Sequence, residues 1–262
     1  MAPVKDEAID AYKAARQAYS LQSPRGLFQS RDLFRGSAAM DAKFGKPRAL
    51  LAYTLVQAWL QGWSGEDAMI EAGDLAKEAV RLAPDDPTTN AQMGFYLLNK
   101  RHFTAALDFY RRATDLPGAS DETKVDRAEA EIYVGNIQTG IDLIRQVVES
   151  RSDVPDWHRW DLAWALYLKG REDGGATKQA LAELDRMKLK PEDSDYLVDC
   201  LLLRAVVETK LALAKPAAAD IQLFLTRRND WTLWREQRSV KFKRPADELY
   251  WLDGCRAAGL PG

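Results

Sequence analysis

The residues of this chain that could do chemistry are few, and their spacing does not gather them into a reactive site. The two histidines, His102 and His158, stand far apart and lack the H-E-x-x-H or ligand spacing of a metal centre, so each reads as a surface or internally satisfied imidazole. Gly62-Trp63-Ser64-Gly65 has the opening of a nucleophile elbow, yet Glu66 stands where the closing glycine belongs and no strand pattern precedes it. Ser64 suits a helix cap better, with Asp67 three residues on favouring the helix N-terminus. Cys200 and Cys255 form no C-x-x-C pair and read as small apolar side chains in a reducing compartment. No phosphate-cradling or dinucleotide-binding glycine loop is present. The acidic pairs Asp85-Asp86 and Asp121-Glu122 open helices, where the dipole explains them. The expectation is therefore a protein without catalytic residues, cofactor or metal.

Two groups of residues point to binding instead. Trp157, Trp160, Trp164 and Tyr167 are spaced by three, four and three, which lays four aromatic rings along one stripe of a helix. Such rings anchor partners well. Leu162, Ala163 and Leu166 make the same helix apolar nearly all round, however, and helices of that kind are normally buried. A ligand-facing groove and core packing are both open readings of the stripe. The second group is Arg227 to Arg244, where seven basic and two acidic residues interleave with Trp231, Trp234 and Phe242. Cations among aromatic rings can hold single-stranded nucleic acid. A solvated connector whose rings anchor it to the last helix pair accounts for the same pattern, because basic side chains cover apolar surface with their stems.

The elements that must position these residues are helices. Ala and Leu recur at three- and four-residue spacings, with no sustained two-residue alternation of β-branched residues. Turn signals at Gly45-Lys46-Pro47, Asp85-Asp86-Pro87, Pro117-Gly118, Gly135-Asn136, Val154-Pro155, Gly170, Gly174-Gly175, Lys190-Pro191 and Lys215-Pro216 cut the chain into helix-length pieces. With 46% hydrophobic and 29% charged residues the 262-residue chain can build a core. Lys plus Arg (37) nearly balance Asp plus Glu (39), so overall charge argues for neither nucleic acid nor an anionic membrane. The charged start and the short apolar runs predict no leader, no membrane insertion and a cytoplasmic location.

The pieces repeat. Ala72, Ala76 and Ala79 are answered 34 residues later by Ala106, Tyr110 and Ala113, and fixed self-similarity of that length marks a helical solenoid. In the best unit Met93-Gly94 on the first helix and Ala106, Tyr110 and Ala113 on the second supply the small residues that let two antiparallel helices approach. Here the chain resembles the tetratricopeptide repeat family, with Asn90 where that family often has a large aromatic. The expected organisation is one domain over residues 1–262: a degenerate pair at 5–44, repeat units at 47–86, 87–120, 121–154 and 155–190, a degenerate pair at 191–228, and a basic connector with a capping helix at 229–262. WLQGWSGEDAMIEAGDLAKEAVRLAPDDP and PADELYWLDGCRAAGLPG resemble, more narrowly, the tetratricopeptide segment that follows the catalytic domain in bacterial adenylate-cyclase-like proteins. Nothing in the chain matches the cyclase domain itself.

The resemblance implies an all-α right-handed superhelix of hairpins whose concave groove is the working part. In that family the stripe beside the small pair faces the groove; Trp164 follows Ala163 as Phe95 follows Gly94 and Glu129 follows Ala128. The expected lining is Phe95, Asn99, Glu129, Tyr133, Trp157, Trp160, Trp164 and Tyr167. The function expected is a non-enzymatic scaffold holding a peptide or partner domain in the groove. Two other classes stand beside it: a regulatory domain of a larger bacterial signalling protein, and a structural repeat that forms a homodimer through its end units.

Overall fold

The computed structural model describes residues 3–20, 23–150, 153–187 and 198–262. Lys190-Pro191 and the start of the 191–228 pair lie outside the described residues. Among those described there are helices and turns and no strand. Contacts group the chain into two compact units, residues 1–127 and 128–262. The first unit holds α1 (Asp6–Tyr19), α2 (Pro24–Met40), α3 (Gly45–Leu60), α4 (Glu66–Leu82), α5 (Pro87–Asn99) and α6 (Phe103–Asp115). The boundary falls within α7 (Asp121–Val134). The second unit continues through α8 (Ile137–Ser150), α9 (Asp156–Lys169), α10 (Gly174–Asp185), α11 (Val198–Lys210), α12 (Ala214–Arg227), α13 (Leu233–Ser239) and α14 (Pro245–Ala258). Successive helices pack as hairpins: α1 on α2, α3 on α4, α5 on α6, α9 on α10 and α11 on α12.

Local chemistry explains the hairpins. The Asp86 carboxylate accepts from the amides of Thr88 (2.9 Å) and Thr89 (3.3 Å) while Pro87 opens α5 without losing a bond, so the helix starts where the Asp-Pro pair predicts. Gly94 lies against the ring of Tyr110; a Cβ there would sit 2.9 Å from Tyr110 Cδ2, closer than such atoms come. The small residue thus sets how near α5 and α6 approach. In the second unit Gly140 does the same for α8, where a Cβ would meet Ile132 Cγ1 at 2.4 Å and the Ala128 carbonyl at 2.9 Å. Asn90 is fully buried and ties α5 to the preceding turn, its amide donating to the carbonyls of Pro84 (2.8 Å) and Asp86 (2.9 Å). A polar side chain stands there because it satisfies turn carbonyls that a large aromatic could not. Ser64 departs from expectation. Gly65 is the N-cap residue of α4, and the Ser64 hydroxyl finds no hydrogen-bond partner among the described residues.

The Arg227–Arg244 stretch is more ordered than a connector. It contains α13, capped by the Thr232 hydroxyl, which accepts from the Arg235 amide. The Glu236 carboxylate is buried and takes one indole proton from Trp231 (2.8 Å) and another from Trp251 (2.7 Å), which fastens α13 to α14. Burial pushes the Glu236 carboxyl up, against the lowering effect of the two indole bonds. α14 packs on α11, α9 and α12. It ends at Gly259, whose φ of 106° lets the Leu260 amide reach back to the Cys255 carbonyl at 3.0 Å. The Leu233 amide donates to the Pro261 carbonyl at 2.7 Å, so the last residues close onto α13.

Candidate partner-binding faces

In the first unit, rings and amides from the first helices of successive hairpins meet on one face. Tyr53 of α3 packs its ring 4.8 Å from Phe95 of α5 and 5.5 Å from Tyr19 of α1. Its hydroxyl lies 2.8 Å from the Tyr19 hydroxyl and accepts from the Gln57 amide at 2.8 Å. Gln92, Phe95 and Asn99 share one side of α5 by their spacing. Asn99 donates to the Phe95 carbonyl at 2.8 Å. The carboxamide oxygens of Gln92 and Asn99 are buried and find no hydrogen-bond partner among the described residues. An unsatisfied buried acceptor is costly, and a peptide N–H is the group that would complete it.

In the second unit the corresponding rings are covered. Tyr133 of α7 lies 4.9 Å from Trp164 of α9, and Trp160 stacks parallel to Trp164 at 6.2 Å. Over Tyr133 and Trp164 runs a non-helical segment, Val240 to Lys243, extended at Val240 and bent at Lys243, which joins α13 to α14. Phe242 sits 5.2 Å from Tyr133 and 5.6 Å from Trp164, and is 3% exposed. The Lys241 ammonium lies 3.6 Å from a Glu129 carboxylate oxygen and 4.6 Å from the centre of the Tyr133 ring. The Lys243 amide donates to the Tyr133 carbonyl at 2.8 Å. That carbonyl is in the last turn of α7, where the helix supplies no donor of its own. Beyond the segment, Arg244 pairs with Asp247 (2.6 Å), which Arg171 also reaches (2.8 Å).

Of the residues expected to line a groove, Phe95 and Asn99 lie in the first unit, and Glu129, Tyr133, Trp157, Trp160, Trp164 and Tyr167 in the second. Trp157 and Trp160 are half-buried, while Trp164 (2% exposed) and Tyr167 (1% exposed) are enclosed. Tyr167 is covered by α14, with Tyr250 stacked at 5.0 Å and Trp251 edge-on at 5.8 Å. Gly254 makes room for it: a Cβ there would lie 2.2 Å from the Tyr167 hydroxyl. Burial pushes the Tyr167 phenol well up.

Sequence reading singled out Phe242 as one ring of a basic stretch but not Lys241, Lys243 or their register on α7. The available signal was the alternation Val-Lys-Phe-Lys ahead of Pro245, which reads as extended chain. Of the three rings in that stretch, Trp231 and Phe242 turn inward and Trp234 remains 61% exposed beneath the Arg238 guanidinium at 4.9 Å.

Chemistry of other kinds finds little support here. Both thiols are free and buried, and burial raises both of their pKa values, so they are poor nucleophiles. Among the described residues no group of His, Cys, Asp and Glu could hold a metal ion, and no helix is long and apolar enough to cross a membrane.

No protein-family model matches the chain, and no curated protein matches it. Solved structures do. The Cut9–Hcn1 hetero-tetramer of the APC/C matches with a TM-score of 0.60 at 12% identity, covering 88% of this chain and 45% of that one. PilF of Pseudomonas aeruginosa matches with a TM-score of 0.55 at 16% identity, covering 88% and 96%. PilW, a type IV pilus biogenesis factor, matches with a TM-score of 0.54 at 11% identity, covering 86% and 92%. Identities this low speak for the fold alone, and that fold is the all-α, helical-hairpin stack of the tetratricopeptide repeat proteins.

Proposed function

We propose that this chain is a non-enzymatic protein-interaction scaffold that holds an extended stretch of partner polypeptide on the groove face of its hairpins. The observation that carries this reading is Val240–Lys243. There the protein holds an extended segment on α7 and α9 through a backbone hydrogen bond, an enclosed aromatic ring and a paired ammonium. These are the contacts by which peptides are generally read: main-chain bonds for hold, side-chain pockets for specificity. The unpartnered amide oxygens of Gln92 and Asn99 beside Phe95 offer a second peptide-sized set of acceptors in the first unit. PilW is by its title a type IV pilus biogenesis factor, and Cut9–Hcn1 is an assembly of several chains; holding another protein agrees with both. The lining proposed is the expected one, with Phe95 and Asn99 in one unit and Glu129, Tyr133, Trp157, Trp160, Trp164 and Tyr167 in the other. A cytoplasmic setting is part of the proposal.

A second reading makes the partner a neighbouring domain of a larger bacterial, cyclase-like signalling protein. The exposed Trp234 and the exposed Leu249 of α14 favour it, since large apolar side chains left to solvent often mark a docking surface. The two readings separate by affinity capture from the native host. Loss of a captured protein with Tyr53→Ala plus Asn99→Ala, both variants folded by circular dichroism, supports the groove. Loss with Trp234→Ala plus Leu249→Ala supports the domain surface, and capture unaffected by either pair contradicts both.

A further inference from the structure

We propose that the α7–α9 face of the second unit is a recognition site for an extended peptide carrying an aromatic residue flanked by lysines. In the free protein the chain's own Val240–Lys243 segment occupies that site in place of the partner. The inference rests on the scaffold reading above and adds the chemistry of the partner and the means by which access is controlled.

The choice of residues in the segment supports this. Lys241 occupies a position with only 7% exposure, where an apolar residue would pack as well without the cost of drying an ammonium. Its surroundings are made for a cation: the Glu129 carboxylate on one side and the Tyr133 ring face on the other. An ammonium this enclosed is costly to leave without its carboxylate, so the Glu129 side discriminates against an occupant that carries no cation there. Phe242 fills the gap between Tyr133 and Trp164, which are already in contact with each other, so the aromatic floor comes from α7 and α9 and not from the segment. The Lys243 bond uses backbone only, and any residue but proline can make it. Lys243, Arg244, Pro245 and Ala246 are exposed, so the segment leaves the face after three buried residues. The contacts that seat it include one ring, one ammonium and one amide, and a peptide of the same pattern carries all three.

The test uses the full chain and a fluorescein-labelled peptide of residues 239–245, with a control peptide in which serine replaces the phenylalanine. Phe242→Ala, shown folded by a cooperative melt, is expected to bind the peptide saturably by fluorescence anisotropy. Wild type should bind at least tenfold more weakly, and the serine peptide should fail with both. A folded Phe242→Ala that ignores the peptide overturns the proposal, as does wild type binding as tightly as the variant. Should Phe242→Ala not fold, Lys241→Ala is judged by the same criteria. If neither folds, the segment is a fixed part of the core and the proposal falls. Sedimentation at the same concentrations reads the other possible occupant: a wild-type dimer that the peptide dissolves assigns the face to a second copy of this chain and overturns the partner assignment. Failure here with capture through Tyr53 and Asn99 intact removes the role of the Val240–Lys243 strap and leaves the scaffold.

Discussion

The aromatic faces of the two units are made of similar materials and end in different states. In the first unit Tyr53, Phe95, Gln92 and Asn99 leave a half-buried ring and two unpartnered amide oxygens. In the second, Tyr133 and Trp164 are roofed by Phe242, with Lys241 over the Tyr133 ring, and the last turn of α7 has its carbonyl taken by Lys243. An aromatic stripe on the first helix of a hairpin is therefore not by itself a site or a core. What decides is whether another part of the same chain reaches it. Among the described residues the first face keeps two unpartnered acceptors, whereas the second is mostly packed and keeps one unpartnered donor, the Trp160 indole N–H.

Substitutions should expose this difference, and the largest effect is expected where the roof is complete. Trp164→Ala removes an enclosed ring and should cost about 3–5 kcal/mol in urea unfolding, whereas Tyr53→Ala should cost about 1–2 kcal/mol because its ring is only partly dried. Equal losses would erase the contrast. Next comes Gly140→Ala, whose Cβ would press on Ile132 and on the Ala128 backbone; a loss of about 1–3 kcal/mol is expected from overpacking, and a gain in melting temperature would contradict the close approach.

A smaller effect follows pH and belongs to the second unit. Burial, helped by the Asp220 carboxylate and opposed by the Arg204 guanidinium, raises the Glu208 carboxyl from 4.5 to about 7. The folded state thus holds this proton more tightly than the unfolded one. Its contribution is most favourable below about 4.5 and is lost as pH rises towards 7, on the order of 1–2 kcal/mol. Glu208→Gln should flatten the fall in stability over that range; an unchanged profile would locate the titration elsewhere. Smallest is Asp86→Ala in the first unit. It removes the bonds to the amides of Thr88 and Thr89 and should lower stability by about 1 kcal/mol without touching the second unit's face.

The hairpins themselves were legible because their determinants are local. Asp86-Pro87 starts α5, Gly94 admits Tyr110, and Gly135, at a φ of 98°, turns α7 into α8. Each needs only a few neighbouring residues to act. The strap was not legible, since nothing within Val240–Lys243 states that Tyr133 and Trp164, about 80 to 110 residues earlier, will lie beneath it. α13 was missed for a related reason. Seven residues give almost no periodicity, and what fixes this helix is Glu236 bonding to the indoles of Trp231 and Trp251. Ser64 failed in the other direction: the capping pattern was present, but Gly65 takes the N-cap place one residue later and the helix begins at Glu66.

The most direct test of a face filled by the chain's own segment is amide hydrogen exchange in the free wild-type protein, comparing Lys243 with the enclosed Leu166 of α9. The account predicts that the Lys243 amide is protected, because it donates to Tyr133, and that it nevertheless exchanges at least a hundredfold faster than Leu166 through local release of the segment. A Lys243 amide with no protection would show that the segment is not seated. One that exchanges only as slowly as Leu166 would show that it never leaves, and either result would contradict the account.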